Sequence, residues 1–343
     1  MTTAADILAK AQAGDGDAAV MLSRLLDREG RYSEALQWLD RAATGGHALA
    51  ATVLGARLVA ARGAPHDPVR GARFIEQAAR AGQPDAAAYA SVLAATGAGR
   101  PQSWDDALAW LQAAAGAGHA RSRGALEVLG GAISAWLEPP ALEPYYHEAD
   151  EPLVASIPRF VSPKVCDWIV GQSKGYLQPA TAYNAAGAGA VDEARTNSGT
   201  GFSLLDLDLV LALVRARIAR AVDQPLETFE TTNVLHYAVG QQFSPHFDFI
   251  DPATPVLAAD VAEKGQRTGT FLIYLNEGYA GGETDFPVLG RKVKGRKGDA
   301  LYWRNVTADG TPDVRTWHAG APPAKGEKWV LSQWMRTKPQ LQL

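Results

Sequence analysis

A repeat of about 36 residues in the first third of the chain constrains the fold more than any other feature of the 343-residue sequence. Two independent markers keep this period. One marker is a glycine that recurs at spacings of 32, 36 and 36 residues, at Gly14, Gly46, Gly82 and Gly118. The other is an aromatic residue that recurs every 36 residues, at Trp38, Phe74 and Trp110. A unit of this length cannot bury a core alone, so the pattern predicts a stacked array of helical pairs.

Each repeat is interpreted as two helices. The first is rich in small residues, as in residues 50–55 (AATVLG), which allows close helix approach, and the second carries the aromatic residue. A glycine after the second helix is typical of the position that follows a helix end, where the backbone takes a positive φ. We interpret the periodic Trp, Phe, Leu and Ala positions as core positions of the array and not as a binding site.

A proline-rich acidic segment follows the repeats. We predict helical repeats over residues 1–135, a linker over 136–152 and a second domain over 153–343. In the second domain, helices are expected from Pro163 and over 204–222. Segments rich in β-branched and aromatic residues predict strands over 231–238, 268–276, 299–304, 314–319 and 328–336. The predicted fold class is α+β multidomain, with a helical repeat array before a jelly-roll sandwich that helices buttress.

The chemistry is expected at His246 and Asp248. A His-x-Asp pair alone is weak evidence, because chance produces it often. On a strand, however, residues i and i+2 face the same side, so both side chains would point together into the sandwich. His318 on a late strand would add a third ligand. Two His and one carboxylate on one face of an octahedron leave three positions open, as Fe(II) oxygenases require.

A buried cation is the second requirement, because the far carboxylate of a 2-oxoglutarate co-substrate needs a partner. Lys328 lies ten residues after His318. The intervening segment, residues 321–326 (APPAKG), is interpreted as a hairpin turn that brings Lys328 into the same cavity.

These residues lie in segments that resemble the prolyl 4-hydroxylase family. Residues 237–248 (YAVGQQFSPHFD) are similar to its metal-binding signature. Further similar segments follow in the family's order: residues 274–276 (YLN), 281–287 (GGETDFP), 297–301 (KGDAL), 318–320 (HAG) and 326–329 (GEKW). The repeats resemble the Sel1-like branch of the tetratricopeptide superfamily.

The resemblance implies an Fe(II)/2-oxoglutarate-dependent dioxygenase with a double-stranded β-helix (jelly-roll) domain. Its implied activity is hydroxylation of an aliphatic C–H, above all of a peptidyl proline, giving succinate and CO2. The implied cofactors are Fe(II), 2-oxoglutarate and O2, with ascorbate as a candidate reductant. The implied partner is a protein or peptide substrate that the repeats recruit.

The resemblance also implies residue roles. His246, Asp248 and His318 would bind iron, and Lys328 would bind the C5 carboxylate of 2-oxoglutarate. The remaining implied roles are a hydrogen bond to the co-substrate from Tyr237, a cofactor-binding place beside the site for Trp334 and a substrate-side role for Arg195. Residues 195–199 (RTNSG) depart from the family's Arg-Thr-Ser-Ser-Gly pattern at Asn197.

Three other functions stay open. The chain could hydroxylate a free amino acid or small metabolite, dealkylate nucleic acid, or be a non-catalytic adaptor. Nucleic-acid dealkylases resemble it less, because they anchor the co-substrate with Arg rather than Lys. The net charge of −4 also gives no general attraction to nucleic acid, so no nucleic-acid partner is expected. The sequence leaves the oligomeric state open.

A single cysteine, Cys166, excludes an intramolecular disulfide. The chain start lacks the basic segment and continuous apolar run of a signal peptide. No uncharged apolar run approaches the ~18 residues of a membrane span. We therefore expect a cytoplasmic location and no membrane partner.

Overall fold

The computed structural model describes residues 3–130, 133–146, 152–183, 189–191 and 194–340. The chain divides into two compact units. One comprises Met1–Ile133 with Leu204–Leu213, and the other comprises Ser134–Ser203 with Val214–Gln342. The domain boundaries predicted from the sequence stay a prediction, and residues 147–151 of the predicted linker lie outside the described residues.

The first unit is built from paired helices, and each helix packs on the next one along the chain. Those described there are α1 (Ala4–Gln12), α2 (Gly16–Arg28), α3 (Tyr32–Thr44), α4 (Ala48–Ala60), α5 (Pro68–Arg80), α6 (Pro84–Thr96), α7 (Trp104–Gly116) and α8 (Ala120–Leu129). The predicted repeat array is therefore confirmed.

The periodic glycines end the odd-numbered helices, as predicted. Their φ values are +94°, +89°, +86° and +96° at Gly14, Gly46, Gly82 and Gly118. Close helix approach is also confirmed. A Cβ added to Gly55 in α4 would lie 2.7 Å from the carbonyl oxygen of Gly71 in α5. Only glycine allows the two backbones to come this near.

The interpretation of the periodic positions as core is confirmed at the leucine and alanine positions, such as Leu39 and Ala35, while Trp38 packs against the core from its edge. Trp38, Phe74 and Trp110 are only half-buried. The fully buried side chains are those one residue later, at Leu39, Ile75 and Leu111. The period was correct because every second helix presents the same face, but the core position is offset by one. An arginine lies over each ring, 5.0 to 5.9 Å from its centroid: Arg41, Arg70 and Arg80 respectively.

Four more helices are described after the array: α9 (Ile133–Trp136), α10 (Pro163–Ser173), α11 (Leu209–Val222) and α12 (Pro255–Lys264). The start of α10 at Pro163 is confirmed. The helix predicted over 204–222 begins later, at Leu209. The carboxylate of Asp208 accepts a 2.9 Å hydrogen bond from the backbone N–H of Leu211, so Asp208 acts as a cap that holds the preceding residues outside the helix.

The strands of the second unit are, in chain order, β1 (Glu143–Pro144), β2 (Val154–Ile157), β3 (Gln178–Pro179), β4 (Thr181–Tyr183), β5 (Gly189–Val191), β6 (Ser198–Phe202), β7 (Thr232–Tyr237), β8 (Phe243–His246), β9 (Arg267–Tyr274), β10 (Ala280–Gly281), β11 (Thr284–Phe286), β12 (Arg291–Val293), β13 (Ala300–Arg304), β14 (His318–Gly320), β15 (Pro323–Lys325) and β16 (Lys328–Arg336). The larger sheet has the order β1-β2-β13-β9-β16-β7-β6-β3, and the smaller has the order β12-β11-β14-β8. All their neighbouring strands are antiparallel.

The core of this unit lies between the two sheets. Phe286 of the smaller sheet belongs to one buried cluster with Leu235, Leu272 and Trp303 of the larger sheet. This arrangement confirms the predicted jelly-roll sandwich.

Two local predictions in this unit are wrong. The strand predicted over 314–319 is a short 3-10 helix, Val314–Thr316, followed by β14. The segment between His318 and Lys328 is not a hairpin, because β14 belongs to the smaller sheet and β16 to the larger one. Between them, β15 pairs with β10.

None of the helices in the described part of the chain combines the length and the apolar character needed to cross a membrane.

Candidate active site

Two histidines and one aspartate converge where β8 and β14 pair. His246 and His318 are directly opposite each other in this antiparallel pair. Asp248 lies two residues past His246, beyond the end of β8 and not on it as predicted. Its carboxylate oxygens lie 3.6 Å from His246 Nε2 and 3.4 Å from His318 Nε2. The candidate ligand atoms of all three residues lie within 4.8 Å of one another.

Backbone carbonyls orient both imidazoles. The Nδ1 atom of His246 lies 2.8 Å from the Ser244 carbonyl oxygen, and that of His318 lies 2.9 Å from the Thr316 carbonyl oxygen. Each Nδ1 therefore carries the proton and donates a hydrogen bond to the carbonyl oxygen. The Nε2 lone pairs are left facing Asp248, as metal binding by histidine requires.

A hydroxyl and an amide orient the aspartate. Asp248 is 3% exposed, and its Oδ2 accepts a 2.7 Å hydrogen bond from Thr270 Oγ1. Thr270 in turn accepts a 3.0 Å hydrogen bond from the side-chain amide of Asn305. This chain fixes the carboxylate in one orientation, with Oδ1 left to bind other groups.

The charge state of the cluster suits a divalent cation. Burial by itself raises the pKa of Asp248, but the charges of His318, His246 and Arg267 hold that pKa well below its ordinary value. Burial, reinforced by His246, lowers the pKa of His318 to about 4. At neutral pH the carboxylate is therefore ionised and His318 is neutral, which is the form that ligates a metal. The donor set fits Fe(II).

Aromatic side chains enclose the two imidazoles. Phe243 stacks on the His246 ring with centroids 3.5 Å apart. Trp303 meets the His318 ring edge-on at 4.7 Å. These rings limit how far each imidazole can turn and keep water from its far side.

Lys328 and Tyr237 provide a second polar centre in the same cavity. They are opposite each other across β16 and β7, are 2% and 3% exposed, and the ammonium lies 5.1 Å from the centroid of the phenol ring. Burial lowers the pKa of Lys328 to about 8 and raises that of Tyr237 to about 12. At neutral pH the cavity thus presents a buried cation and a protonated hydroxyl, which suit a carboxylate.

All seven side chains singled out from the sequence line this cavity: Arg195, Tyr237, His246, Asp248, His318, Lys328 and Trp334. Lys328 reaches it by the crossover between the sheets and not by the predicted hairpin. Arg195 lies over the Phe243 ring at 4.5 Å, and burial lowers its pKa. The roles of these residues stay predictions.

Sequence reasoning missed several residues around the site. Thr270 and Asn305 support Asp248, and Arg267 lies 4.3 Å over the Trp334 ring. Arg267 also makes two hydrogen bonds, of 2.7 and 2.9 Å, to the carboxylate of Glu230. The signal for Thr270 was available, because a polar residue within an apolar strand that is buried on both faces requires a partner.

A larger cavity of about 1010 Å³ opens beside the same cluster. Four residues line both this cavity and the smaller one: Arg195, His246, Asp248 and Trp334. The arrangement therefore combines a candidate metal centre, a cationic cavity for a carboxylate and adjoining space for a substrate.

Comparison with known proteins matches this site to oxygenases. Residues 232–336 match the model of the 2OG-Fe(II) oxygenase superfamily. Probable prolyl 4-hydroxylase 9 of Arabidopsis thaliana is 33% identical over 213 residues, which are 55% of this chain and 70% of that protein. Prolyl 4-hydroxylase 13 of the same plant is 31% identical over 210 residues, 56% of this chain and 74% of that protein.

Two solved structures are also similar. The viral collagen prolyl hydroxylase of Paramecium Bursaria Chlorella virus-1, in its 2OG complex, is 26% identical with a TM-score of 0.42, covering 55% of this chain and 99% of that one. A Sel1 repeat protein from Oxalobacter formigenes is 31% identical with a TM-score of 0.33, covering 36% of this chain and 95% of that one.

Proposed function

We propose that the chain hydroxylates a proline residue within a peptide or protein, since it belongs to the prolyl 4-hydroxylase family of 2OG-Fe(II) oxygenases. The chain is a dioxygenase that uses Fe(II), 2-oxoglutarate and O2. The observation that carries the proposal is the convergence of His246, Asp248 and His318 beside the buried cation of Lys328.

The proposed roles follow from the contacts. His246 and His318 would hold the metal through Nε2, and Asp248 through its carboxylate. Lys328 would bind the C5 carboxylate of 2-oxoglutarate, and Tyr237 would donate a hydrogen bond to it. When bound, the metal supplies activation of O2, with 2-oxoglutarate as the reductant, so that a C–H becomes C–OH and succinate and CO2 leave.

The protein's own part is to hold these groups and exclude water. Carbonyls of Ser244 and Thr316 keep the imidazole lone pairs directed at the centre, while Thr270 restrains Asp248. The Lys328 ammonium would neutralise the charge of a co-substrate carboxylate, so that this carboxylate needs no water molecules around it in the cavity. Trp334 and Arg195, which line both cavities, are proposed to contact the substrate as it enters from the larger one.

The repeat array is proposed to bind the protein that carries the target proline. Stacked helical pairs generally offer extended surfaces that hold other proteins. An intact protein substrate should then give a higher kcat/KM than a short peptide with the same target sequence. Equal values for the two would contradict this role of the array.

The proposed reaction is tested by anaerobic loading with Fe(II) and 2-oxoglutarate, followed by exposure to O2 with proline-containing peptides or with free amino acids. Mass spectrometry should find one added oxygen atom on a peptidyl proline, together with succinate. The His318→Ala variant should give neither. Hydroxylation of free amino acids alone would contradict the peptide substrate, and absence of succinate in every reaction would contradict the enzyme.

A further inference from the structure

Three aromatic side chains form a wall of the larger cavity. Phe247 stacks on Phe249 with ring centroids 4.5 Å apart, and it meets Trp317 at 4.4 Å. All three rings are partly exposed, and all three line the cavity. We call this cluster, Phe247, Phe249 and Trp317, the aromatic wall.

The aromatic wall is next in sequence to every candidate metal ligand. Phe247 lies between His246 and Asp248, and Trp317 directly precedes His318. Each of the three rings thus lines the larger cavity from a position one residue away from a candidate ligand. His246 and Asp248 line this cavity too, so the wall and the metal centre share one space.

The surroundings of the wall extend its apolar character. Val314, 62% exposed, and Leu257 also line the cavity. Two of the charged residues that line the same cavity are paired with each other, because Arg267 is bonded twice to Glu230. Partly exposed aromatic rings clustered in a concave site are typical of a binding surface, since burying them against a ligand is favourable.

We infer that the aromatic wall is a subsite for a bulky apolar side chain that flanks the hydroxylated residue in the substrate. This inference rests on the proposed function, because it assumes a peptide substrate. Consecutive Cα atoms of a peptide are about 3.8 Å apart. A peptide that places its target at the three ligands must therefore carry a neighbouring residue past Phe247.

The expected preference is large enough to measure. Apolar pockets distinguish side chains that differ by one methylene by about tenfold or more. Peptides with Leu or Phe beside the target proline should then exceed those with Ser or Asp by at least about tenfold in kcat/KM. The peptide set places the variable residue before the target proline in one series and after it in the other, so that both directions of peptide binding are tested.

Three variants test the inference. Phe249→Ala shortens the wall, and Val314→Lys places at its exposed edge a positive charge that attracts the Asp peptide, without disturbing a buried ring. Val239→Ala is the matched control, because Val239 is 60% exposed and lies outside the residues that line the cavity. Within each variant the readout is the ratio of kcat/KM between the Leu and Asp peptides, so that a general loss of activity cancels.

The inference is supported when the Leu-to-Asp ratio is about tenfold or more in the wild type and in Val239→Ala, and falls towards one in both Phe249→Ala and Val314→Lys. A wild-type ratio near one, with prolyl hydroxylation present, overturns the subsite and leaves the proposed function intact. An unchanged ratio in both Phe249→Ala and Val314→Lys also overturns it. Absence of peptide hydroxylation while succinate still forms contradicts the proposed function itself.

Discussion

Thr270 Oγ1 donates a 2.7 Å hydrogen bond to Asp248 Oδ2 within the core of the jelly-roll domain. Asn305 donates to the same hydroxyl at 3.0 Å, so the hydroxyl proton is directed at the carboxylate. One lone pair of Asp248 is thereby occupied, and the carboxylate cannot rotate without leaving a buried donor unpaired. The geometry of the proposed metal site thus depends on a residue that would not touch the metal.

Thr270→Val should weaken Fe(II) binding by about 10- to 100-fold, as loss of a supporting hydrogen bond behind a ligand typically does. The change keeps the shape of the side chain and removes only the hydroxyl. Anaerobic titration with Fe(II) measures the dissociation constant. Thr268→Val, two residues earlier on the same strand and bonded to the Met335 carbonyl, is the control. Equal affinity in both variants would contradict the supporting role.

Lys328→Met should raise the KM for 2-oxoglutarate by at least about 30-fold. Removing one partner of a buried charge pair costs about 2–5 kcal/mol, and about 1.4 kcal/mol corresponds to tenfold. Methionine keeps the length of the apolar stem while removing the ammonium. Lys292→Met, at a side chain 67% exposed, should leave the KM unchanged. A KM within about twofold of the wild type in Lys328→Met would rule out this anchor.

The position of Lys328 shows what could be predicted from the sequence and what could not. Its distance of ten residues from His318 and the family resemblance placed it in the right cavity. The route was wrong, because β15 pairs with β10, a segment more than 40 residues earlier. Short-range turn chemistry does not contain that information, since the choice of sheet depends on pairing with distant strands.

The same distinction applies elsewhere in the fold. The repeat period and the glycine stops depend on local backbone preferences, so they were predictable. The offset between Trp38 and the buried Leu39 depends on how neighbouring repeats stack, which the period alone does not determine. The supporting contact from Thr270 to Asp248 joins two residues 22 positions apart, and the alternation along β9, which is buried on both faces, does not identify the partner of Thr270.

Affinity for 2-oxoglutarate should fall as the pH rises above about 8. Burial lowers the pKa of Lys328 to about 8, and only the protonated amine binds a carboxylate strongly. A bound carboxylate itself favours the charged amine, so the decline begins somewhat above that value. The KM measured from pH 7 to 9.5 tests this, and a profile that stays flat to pH 9.5 would contradict it.

The stability of the protein without co-substrate should change in the opposite direction. The pKa of Lys328 is about 8 in the folded chain and near its ordinary value of 10.5 in the unfolded chain. Between these values the unfolded chain binds more protons, so the free energy of unfolding rises with pH in this window. Denaturant titrations from pH 7.5 to 10 should show a rise in the wild type that is smaller in Lys328→Met. Equal slopes in the two proteins would contradict the lowered pKa.

Arg336→Met should lower the free energy of unfolding by about 3–5 kcal/mol, the usual cost of stranding the partner of a buried ion pair. Arg336 is 2% exposed. It pairs with Glu230 through Nε, and with Asp260 of α12 at 2.7 Å through Nη1. Without it, Asp260 loses its link to the sheet and Glu230 keeps only Arg267. Denaturant unfolding measures the loss, with the exposed Arg304→Met as the control.

Because Glu230 also holds Arg267 over Trp334, the KM for substrate should rise in Arg336→Met while the KM for 2-oxoglutarate changes less. A loss of stability with both KM values unchanged would show that the ion pairs only secure the fold.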